Sequence, residues 1–517
     1  MGQEGQSVSR RSGGRAARVA LRQSPLEADA RAVHPGMSGG RFKPLTEGQC
    51  AAVFDASLGL LEELGMGQAT PEFRALVTAA GGHIDEYDRL RFPRELVQQA
   101  IASAAKEFTV HHFGADDGVV LGGDRVHFAT AGAAVLMLDH DTQRFRHSEL
   151  NDCYNTARLA DTLDHIHVFV RTVVARDMET SRLVDVNTAF ATMAGTSKPQ
   201  GTSFFEPEHV HEVAAMYDIA LGGEGEFRRR PFMIANNTFV VPPLRFAHDS
   251  ALCLAEQVRA GIPINLLSAG QAGATSPAAL AGSLAQALAE CLAGLTCVNL
   301  LSPGHPCIMG LWPFVSDLRT GAMSGGSGEE AVLNAAAAQM ANYLGLPSGV
   351  AAGMADSKQP DNQAGHEKGN AVTLAANAGA NLVYESAGML ASLMACSLEA
   401  MVIDNDMLGA INRTVRGIEV TPETLSSATI ADVVRGAGHF LGHSQTLSMM
   451  QSEYVYPEVG NRLSPDDWVD AGARSVVDVA HERVVTTLAD HVPSHLTPEA
   501  EQQIRETFDI RLPPLRR

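Results

Sequence analysis

Four short apolar runs between residues 262 and 384 decide the fold: IPINLLSAG (262–270), CIMGLW (307–312), GVAAGM (349–354) and ANLVY (380–384). Each run is too short for a core helix and is bounded by polar or turn residues, so the pattern predicts strands buried on both faces. The stretches between them are typical of amphipathic helices. Ser276-Pro277 indicates a helix start, whereas Gly345 followed by Pro347 indicates a helix end. The segment therefore predicts repeated β–α units around a parallel sheet.

Four further runs extend this alternation to eight strand candidates. They begin near His167 (HVFVRTVV), Asn187 (NTAFATMAGT), Phe232 (FMIA) and Met401 (MVID). Eight strands alternating with helices over roughly 240 residues match a (β/α)8 TIM barrel of the α/β class, whose usual length is about 250 residues. A doubly wound open sheet is the alternative. It is disfavoured because no Gly-rich dinucleotide fingerprint follows the first strand.

The regions outside the predicted barrel, which spans residues 151–407, have a different character. Residues 1–36 carry several arginines among Gly, Ser and Ala, which predicts a disordered tail, with a partner-binding arm as the alternative. Residues 37–150 mix helical and strand patterns and predict an N-terminal α+β cap. Residues 408–517 predict a C-terminal helical region.

Composition excludes several classes of partner. The formal net charge of −20 disfavours binding to nucleic acid or to an anionic membrane surface. No uncharged apolar run reaches the roughly 18 residues that a membrane-spanning helix needs. Seven scattered cysteines without a CxxC pair indicate reduced thiols. We therefore expect a cytoplasmic protein with neither nucleic acid nor a membrane as a partner.

The densest polar cluster follows the GVAAGM strand, at residues 355–368 (ADSKQPDNQAGHEK). Active sites of TIM barrels lie at the C-terminal ends of the strands, and polar groups there are costly to bury unless they are solvated or convergent. The candidate catalytic residues are Asp356, Lys358, His366 and Glu367. A solvated loop in which Asp361 caps the next helix is the alternative.

A metal site is a separate possibility that the sequence disfavours. His165-Ile-His167 has the spacing of a metal-binding pair, and with Asp404 it would build a metal-dependent barrel hydrolase. Both histidines open their strand, so they should lie at the end opposite the catalytic mouth. We therefore expect no metal. The Gly-rich run at residues 321–328 (GAMSGGSG) lacks the Lys and Ser/Thr of a P-loop and fits a lid or a helix entry better.

Several motifs, taken together and in this order, resemble the trimethylamine methyltransferase family. The likeness runs from about Gly40 to Leu512. The motifs are Asp139 to Arg144, Asn187-Thr188, Ser197-Lys198-Pro199, Asp356-Ser-Lys358, Pro360 to Gln363, His366-Glu-Lys368, Tyr454-Val-Tyr456-Pro457, Asn461-Arg462 and Trp468.

The resemblance implies a barrel fold, a homo-oligomer and methyl transfer from an amine to the cobalt of a separate corrinoid protein. Cobalamin would then be carried by that partner, with no cofactor tightly bound to this chain. Archaeal trimethylamine enzymes of the family contain pyrrolysine, which this sequence lacks, and the missing position falls in or near residues 354–368. Members without pyrrolysine resemble demethylases of small quaternary amines such as glycine betaine. A quaternary nitrogen already carries its charge and leaves as a neutral amine, so no general acid is required.

A quaternary ammonium site should present aromatic faces, each worth about 0.5–2 kcal/mol, and a cationic or amide anchor for a carboxylate tail. Core packing is the competing role for each aromatic residue. The aromatic candidates are Trp312, Phe314, Tyr384, Phe204, Phe205, Tyr454 and Tyr456. Arg319 and Lys358 are the anchor candidates, and Asn236 completes the predicted substrate-binding set.

Three alternatives to this function stay open at the level of sequence. The methyl acceptor could be tetrahydrofolate, or the donor a sulfonium compound. The chain could be the metal-dependent hydrolase built on His165, His167 and Asp404. It could also be a barrel that binds a betaine without catalysis.

Overall fold

The eight strands at the centre of the protein form a closed parallel barrel. A computed structural model describes residues 30–130 and 132–516. The barrel strands are β1 Arg125–Thr130, β2 Phe169–Val170, β3 Gln200–Thr202, β4 Met233–Asn237, β5 Ile264–Ser268, β6 Cys307–Leu311, β7 Ser348–Ala351 and β8 Leu382–Ala387. β8 pairs in parallel with β1, with Leu382 opposite His127, and a bridge between Ala129 and Val168 joins β1 to the start of β2. The predicted (β/α)8 barrel is confirmed.

Helices connect and surround these strands. The N-terminal region contributes α1 Glu47–Glu63, α2 Pro71–Ala79 and α3 Arg94–Ser103. The helices that follow barrel strands are α4 Leu150–Asp161, α5 Ser181–Gly195, α6 Pro207–Leu221, α7 Glu226–Arg229, α8 His248–Ala260, α9 Leu280–Leu301, α10 Gly328–Tyr343, α11 Asn362–Asn377 and α12 Leu398–Arg416. The C-terminal helices are α13 Ser427–Arg435, α14 Ser444–Met449, α15 Pro465–Asp470, α16 Val476–Asp490 and α17 Pro498–Thr507.

Short strands occur outside the barrel. Met37–Ser38 pairs antiparallel with β1, and two N-terminal hairpins pair His83–Ile84 with Leu90–Arg91 and Glu107–His111 with Gly118–Gly122. Two small sheets are built from loops that follow barrel strands, so they lie at the C-terminal ends. They comprise Leu136–Leu138, Phe145–His147, Met389–Leu390 and Ala395–Cys396 in one sheet, and Gln271–Ala272 and Phe314–Val315 in the other.

Two of the eight strand predictions are wrong. Asn187 lies in α5 and Met401 lies in α12. Residues 184–195 of α5 are buried throughout, so that part of the helix has no polar face and its sequence lacks the helical periodicity that separates helix from strand. The strands that take their places are β1, which lies within the range predicted as the N-terminal cap, and the three-residue β3.

The chain divides into two units. One comprises residues 35–415 and 457–516 and contains the barrel, and the other comprises residues 30–34 and 416–456. Within the smaller unit, Arg416 forms an ion pair with Glu453 at 2.6 Å. The predicted tail lies almost entirely outside the described residues.

One helix of the described residues, α9, is long and apolar enough to span a membrane by length and composition, with a mean hydropathy of 1.5. Most of its residues are buried within the protein, as expected for a core helix of the barrel. Ser57 of α1 donates to the Ala285 carbonyl of α9 at 2.9 Å, so the N-terminal region packs directly on it. All seven cysteines are free and buried, as expected for reduced thiols that pack as small apolar groups.

Small residues on the inner face of the barrel make room for polar side chains. Outward-facing Asn237 donates to α8, so its neighbour Asn236 points inward, and strand pairing places Asn265, Gly310 and Gly349 on the same face. Asn265 Nδ2 donates to Asn236 Oδ1 at 3.0 Å. A Cβ at Gly310 would lie 2.5 Å from Asn265 Oδ1 and 2.6 Å from the backbone oxygen of Leu266.

We expect Gly310→Ala to lower the free energy of unfolding by about 1–3 kcal/mol because the added methyl group meets backbone that cannot yield. Gly365→Ala is the matched control. No atom lies within 4 Å of a Cβ at Gly365, which is in helix α11, so that variant should gain up to about 1 kcal/mol. Chemical denaturation measures both changes. Equal stabilities for the two variants would contradict the packing of the inner face.

Candidate active site

Glu385 is the most distinctive residue at the C-terminal mouth of the barrel. Its φ of +63° is rare for a residue with a side chain, and the pairing of β8 with β1 is irregular between Val383 and Ala387. Tyr384 shares the inner face with Gly349, so regular alternation would turn Glu385 outward. Instead Glu385 Oε2 accepts from the backbone N–H of Gly132 at 2.9 Å. The irregularity therefore aims a carboxyl group into the mouth, as bulges beside active sites commonly do.

Burial changes the ionisation of this carboxyl group. Glu385 is 1% exposed, and burial raises its pKa to about 8, opposed in part by the Gly132 amide and the positive charge of Lys368. A Cβ at Gly132 would lie 3.1 Å from Glu385 Oε1 and 3.8 Å from Cγ1 of Val170, an inward-facing residue. The side chain therefore lies at the ends of β1 and β2.

A second buried acid, Glu330, belongs to the first turn of α10. Ser327 caps this helix by accepting from the Glu330 N–H. Neither carboxyl oxygen of Glu330 has a hydrogen-bond partner of ordinary geometry among the described residues. Burial raises its pKa well above the usual range; the Val315 amide offsets part of this effect, whereas Asp356 and Glu385 add to it.

Aromatic rings lie beside these acids. The Trp312 ring, directly after β6, is 5.2 Å from the Tyr384 ring at an angle of 55°, and 6.2 Å from the Phe314 ring. A Cβ at Gly349 would lie 2.9 Å from Tyr384 Cε2, so the glycine leaves the space that the tyrosine occupies. The structure thus brings together three of the predicted substrate-binding residues.

Several polar atoms in this sector of the mouth have no hydrogen bond of ordinary geometry, although such atoms also occur elsewhere among the described residues. Buried groups are normally hydrogen-bonded, so a set of them around one space indicates room for water or a ligand. Within the described ranges the atoms are Asn265 Oδ1, Trp312 Nε1, Ser316 Oγ, both carboxyl oxygens of Glu330 and the Tyr384 hydroxyl. Trp312 and Asn236 keep 9% and 8% exposure, so the space is narrow and still accessible to solvent.

The four residues predicted to be catalytic lie in the loop after β7 and the start of α11. Asp356 accepts from the Gly325 N–H at 2.8 Å, from Ser392 Oγ at 2.7 Å and from Ser324 Oγ at 3.1 Å, so it joins three loops. Glu367 is buried and accepts from the Asp356 N–H at 2.8 Å. Lys358 and His366 are exposed and hydrogen-bond to backbone carbonyls of Asp356 and Asn362. Their catalytic role stays a prediction.

The other predicted binding residues are dispersed. Asn236 faces the barrel lumen, and Phe204 is buried after β3, whereas Phe205 is 49% exposed. The guanidinium of Arg319 is 87% exposed and pairs with Asp317 at 2.8 Å. Tyr454 and Tyr456 are exposed residues of the smaller unit, where the Tyr456 hydroxyl donates to the Met450 carbonyl.

A buried ion pair lies behind the mouth. Lys368 Nζ donates to Asp404 Oδ2 at 2.6 Å, and the same oxygen accepts from the Gly388 N–H at 2.8 Å, just after β8. Burial raises the Asp404 pKa and Lys368 opposes this. Asp404 fixes the backbone just after the C-terminal end of β8, and the positive charge of Lys368 opposes the rise of the Glu385 pKa. The ion pair therefore affects both the position and the ionisation of the candidate site.

The residues of the hydrolase alternative do not converge. His165 and His167 precede β2, at the end of the barrel opposite the mouth, and His167 Nδ1 accepts from the Phe128 N–H. Asp404 is held by Lys368 and Gly388 near the end of β8. Over residues 30–130 and 132–516 no group of three His, Cys, Asp or Glu side chains is arranged to hold a metal ion.

Arg171 is a cation that sequence reasoning missed. It follows β2, is 6% exposed, and its Nη1 has no partner among the described residues. The ionisable groups that act on it are the Cys153 thiol of α4 and Asp185 of α5, while burial lowers its pKa. A buried arginine at a strand end has no periodicity by which a sequence could reveal it.

Comparison with known proteins agrees with this fold. The chain matches the family described as trimethylamine methyltransferase (MTTB) over residues 11–512. It is 32% identical over 459 residues to trimethylamine methyltransferase MttB of Desulfitobacterium hafniense (strain DSM 10664 / DCB-2), covering 89% of this chain and 92% of the relative. It is 29% identical over 465 residues to the glycine betaine methyltransferase of Desulfitobacterium hafniense (strain Y51), covering 90% and 96%.

A solved structure shows the same architecture. The monomethylamine methyltransferase of Methanosarcina barkeri superposes with a TM-score of 0.51 over 92% of each chain at 11% identity, which is a likeness of fold. Fold and sequence together define a barrel enzyme that transfers methyl groups. The chain belongs to the trimethylamine methyltransferase family.

We expect Lys368→Met to lower the free energy of unfolding by about 3–5 kcal/mol because Asp404 would be left buried without a counter-charge. The double variant Lys368→Met/Asp404→Asn should recover much of this loss, since the amide oxygen introduced at position 404 can still accept from the Gly388 N–H. Urea denaturation of both variants provides the measurement. A loss below about 1 kcal/mol in the single variant would show that the pair is not buried in solution.

Proposed function

We propose that this methyltransferase removes a methyl group from a small quaternary amine at the barrel mouth and passes it to the cobalt of a separate corrinoid protein. The observation that carries the proposal is the Trp312–Tyr384 aromatic pair beside two buried acids, Glu330 and Glu385. Aromatic faces and carboxylates are the groups that stabilise a permanent cation in a site poor in water. The family supports the proposal, since one relative is named a glycine betaine methyltransferase.

The residues of the mouth would hold and orient the donor. A trimethylammonium group over the Trp312 indole gains about 0.5–2 kcal/mol from cation–π attraction, and more where water is excluded. Fixing the nitrogen against the rings directs one N–CH3 bond outward, toward the end of the barrel at which a partner can dock. The small sheets around the mouth keep bulk water from the reacting carbon.

The reaction requires little proton transfer by the protein. When the methyl carbon moves, the electron pair of the C–N bond stays on nitrogen, which leaves as a neutral tertiary amine. The reduced cobalt of the corrinoid partner supplies the nucleophile. The corrinoid partner, a homo-oligomeric assembly and a cytoplasmic location stay predictions from the family resemblance.

The first test is methyl transfer itself. Purified protein with cob(I)alamin and a panel of glycine betaine, choline, tetramethylammonium and trimethylamine should methylate the cobalt with at least one quaternary amine, followed by the absorbance change of the corrin. A corrinoid protein should raise the rate over free cobalamin. Transfer to tetrahydrofolate without cobalamin would contradict the proposed acceptor, and a sulfonium donor preferred over all amines would contradict the proposed donor.

The second test uses the two tryptophans of the chain. Trp312→Ala should lower kcat/KM for the quaternary amine by about 3- to 30-fold, which corresponds to the loss of one aromatic face. Trp468→Ala, in α15, is the matched control and should leave kcat/KM unchanged. In a Trp468→Phe background, Trp312 fluorescence should change on addition of the amine. Equal kinetic effects of both alanine variants would exclude Trp312 from the binding site.

A further inference from the structure

We propose that Glu330 and Glu385 are the counter-charges of the substrate nitrogen and that they select a quaternary amine without a carboxylate, such as choline or tetramethylammonium, over a betaine. The inference rests on the proposed function and narrows its substrate. Both acids occupy the sector that holds the aromatic pair and the unpartnered polar atoms.

The geometry indicates a site prepared for positive charge. Glu385 is turned inward by a left-handed backbone conformation, which is unfavourable for a residue with a side chain and is retained where the orientation matters. Glu330 is buried with only the Val315 amide acting on its carboxyl group, and neither oxygen has a hydrogen bond of ordinary geometry among the described residues, whereas its neighbour Glu329 is exposed. Two buried carboxyl groups near enough to affect each other's charge are unfavourable in an empty site and favourable around a cation.

A carboxylate group on the substrate would be disfavoured at this site. Anionic Glu330 and Glu385 repel it, and most lysines and arginines around the mouth are already engaged. Lys368 is held by Asp404, and Arg319 by Asp317. Among the described residues, Lys358 and Arg171 are further candidate anchors. Lys358 is exposed and donates to the Asp356 carbonyl. The charged groups that act on Arg171 lie on α4 and α5, and its charge is not among those that shift the Glu385 pKa.

Binding should release protons. Glu385, with a pKa of about 8, is largely neutral at pH 7 in the free protein, and burial shifts the pKa of Glu330 in the same direction. A bound cation favours the carboxylate and so lowers both pKa values. The contribution of Glu385 to affinity for the cation therefore rises with pH below about 8 and levels off above it, because the free protein then loses the same proton. The other ionisable groups that face the acids are Asp356, Lys368 and the Tyr384 hydroxyl.

Choline and glycine betaine form a matched pair of probes because they differ only in a hydroxymethyl group against a carboxylate. In the cob(I)alamin assay, kcat/KM for choline should exceed that for glycine betaine by at least about tenfold, equivalent to one pKa unit of differential interaction. Calorimetry in buffers of different ionisation enthalpy should show release of about one proton per choline bound at pH 7. Tetramethylammonium should behave like choline.

Isosteric variants identify the groups responsible. Glu330→Gln and Glu385→Gln should each reduce the proton release and lower kcat/KM for choline by about tenfold, with the preference over glycine betaine reduced. Glu329→Gln removes an exposed charge from the same helix and should change neither quantity. Thermal denaturation confirms that each variant is folded, and the proton count of the wild-type protein tests the proposal even if a glutamine variant does not fold.

The outcomes separate this inference from the proposed function. If glycine betaine is the better methyl donor, and Arg171→Met abolishes that preference, the proposed function stands and the assignment of the acids is overturned. The same conclusion follows if choline binds without proton release. If no quaternary amine binds or donates a methyl group, the proposed function itself fails, and the inference with it.

Discussion

The hydrogen bond from the Gly132 N–H to the Glu385 carboxyl group joins the ends of the first and last barrel strands. Closure of a parallel barrel brings β1 and β8 together whatever their side chains, but it does not determine where the side chains at their ends point. The left-handed conformation at Glu385 and the absence of a side chain at Gly132 provide that direction. The aromatic residue Tyr384 directly precedes Glu385, and the charge of Lys368 in the Lys368–Asp404 ion pair acts on its pKa.

The sequence predicts the barrel because its central strands are short apolar runs, which are typical of strands buried on both faces. Residues typical of helix starts and helix ends mark the helices between them. The same physics explains the two errors: α5 is buried along most of its length, so around Asn187 its pattern is that of a strand, and β3 is only three residues long. The sequence pattern of β1 is that of a strand, but the sequence analysis assigns this strand to the N-terminal cap. Its partner β8 lies more than 250 residues away in the chain, and periodicity carries no information on which strands pair.

The candidate site is partly predictable for a similar reason. Trp312 follows β6 and Tyr384 ends the apolar run predicted as a strand, so the rule that barrel sites lie at strand ends is enough to select them. Asp356 and Lys358 also follow the end of a strand. In the structure, however, Asp356 connects three loops through hydrogen bonds and Lys358 is exposed to solvent. Glu330 carries no such signal, since an acid in the first turn of a helix is ordinary in sequence and only its burial without partners distinguishes it.

The buried acids reconcile stability with binding. Two ionised carboxylates buried in the mouth would oppose folding, but burial raises both pKa values, so protonation of these groups reduces that cost in the empty protein. Lys368 forms its ion pair with Asp404 and not with Glu385. It affects the Glu385 pKa only by electrostatic attraction without direct contact. Under the proposed function, the two acids lose protons when a quaternary amine binds and regain them when the neutral product amine forms. The same two groups would then favour both binding of the substrate and release of the product.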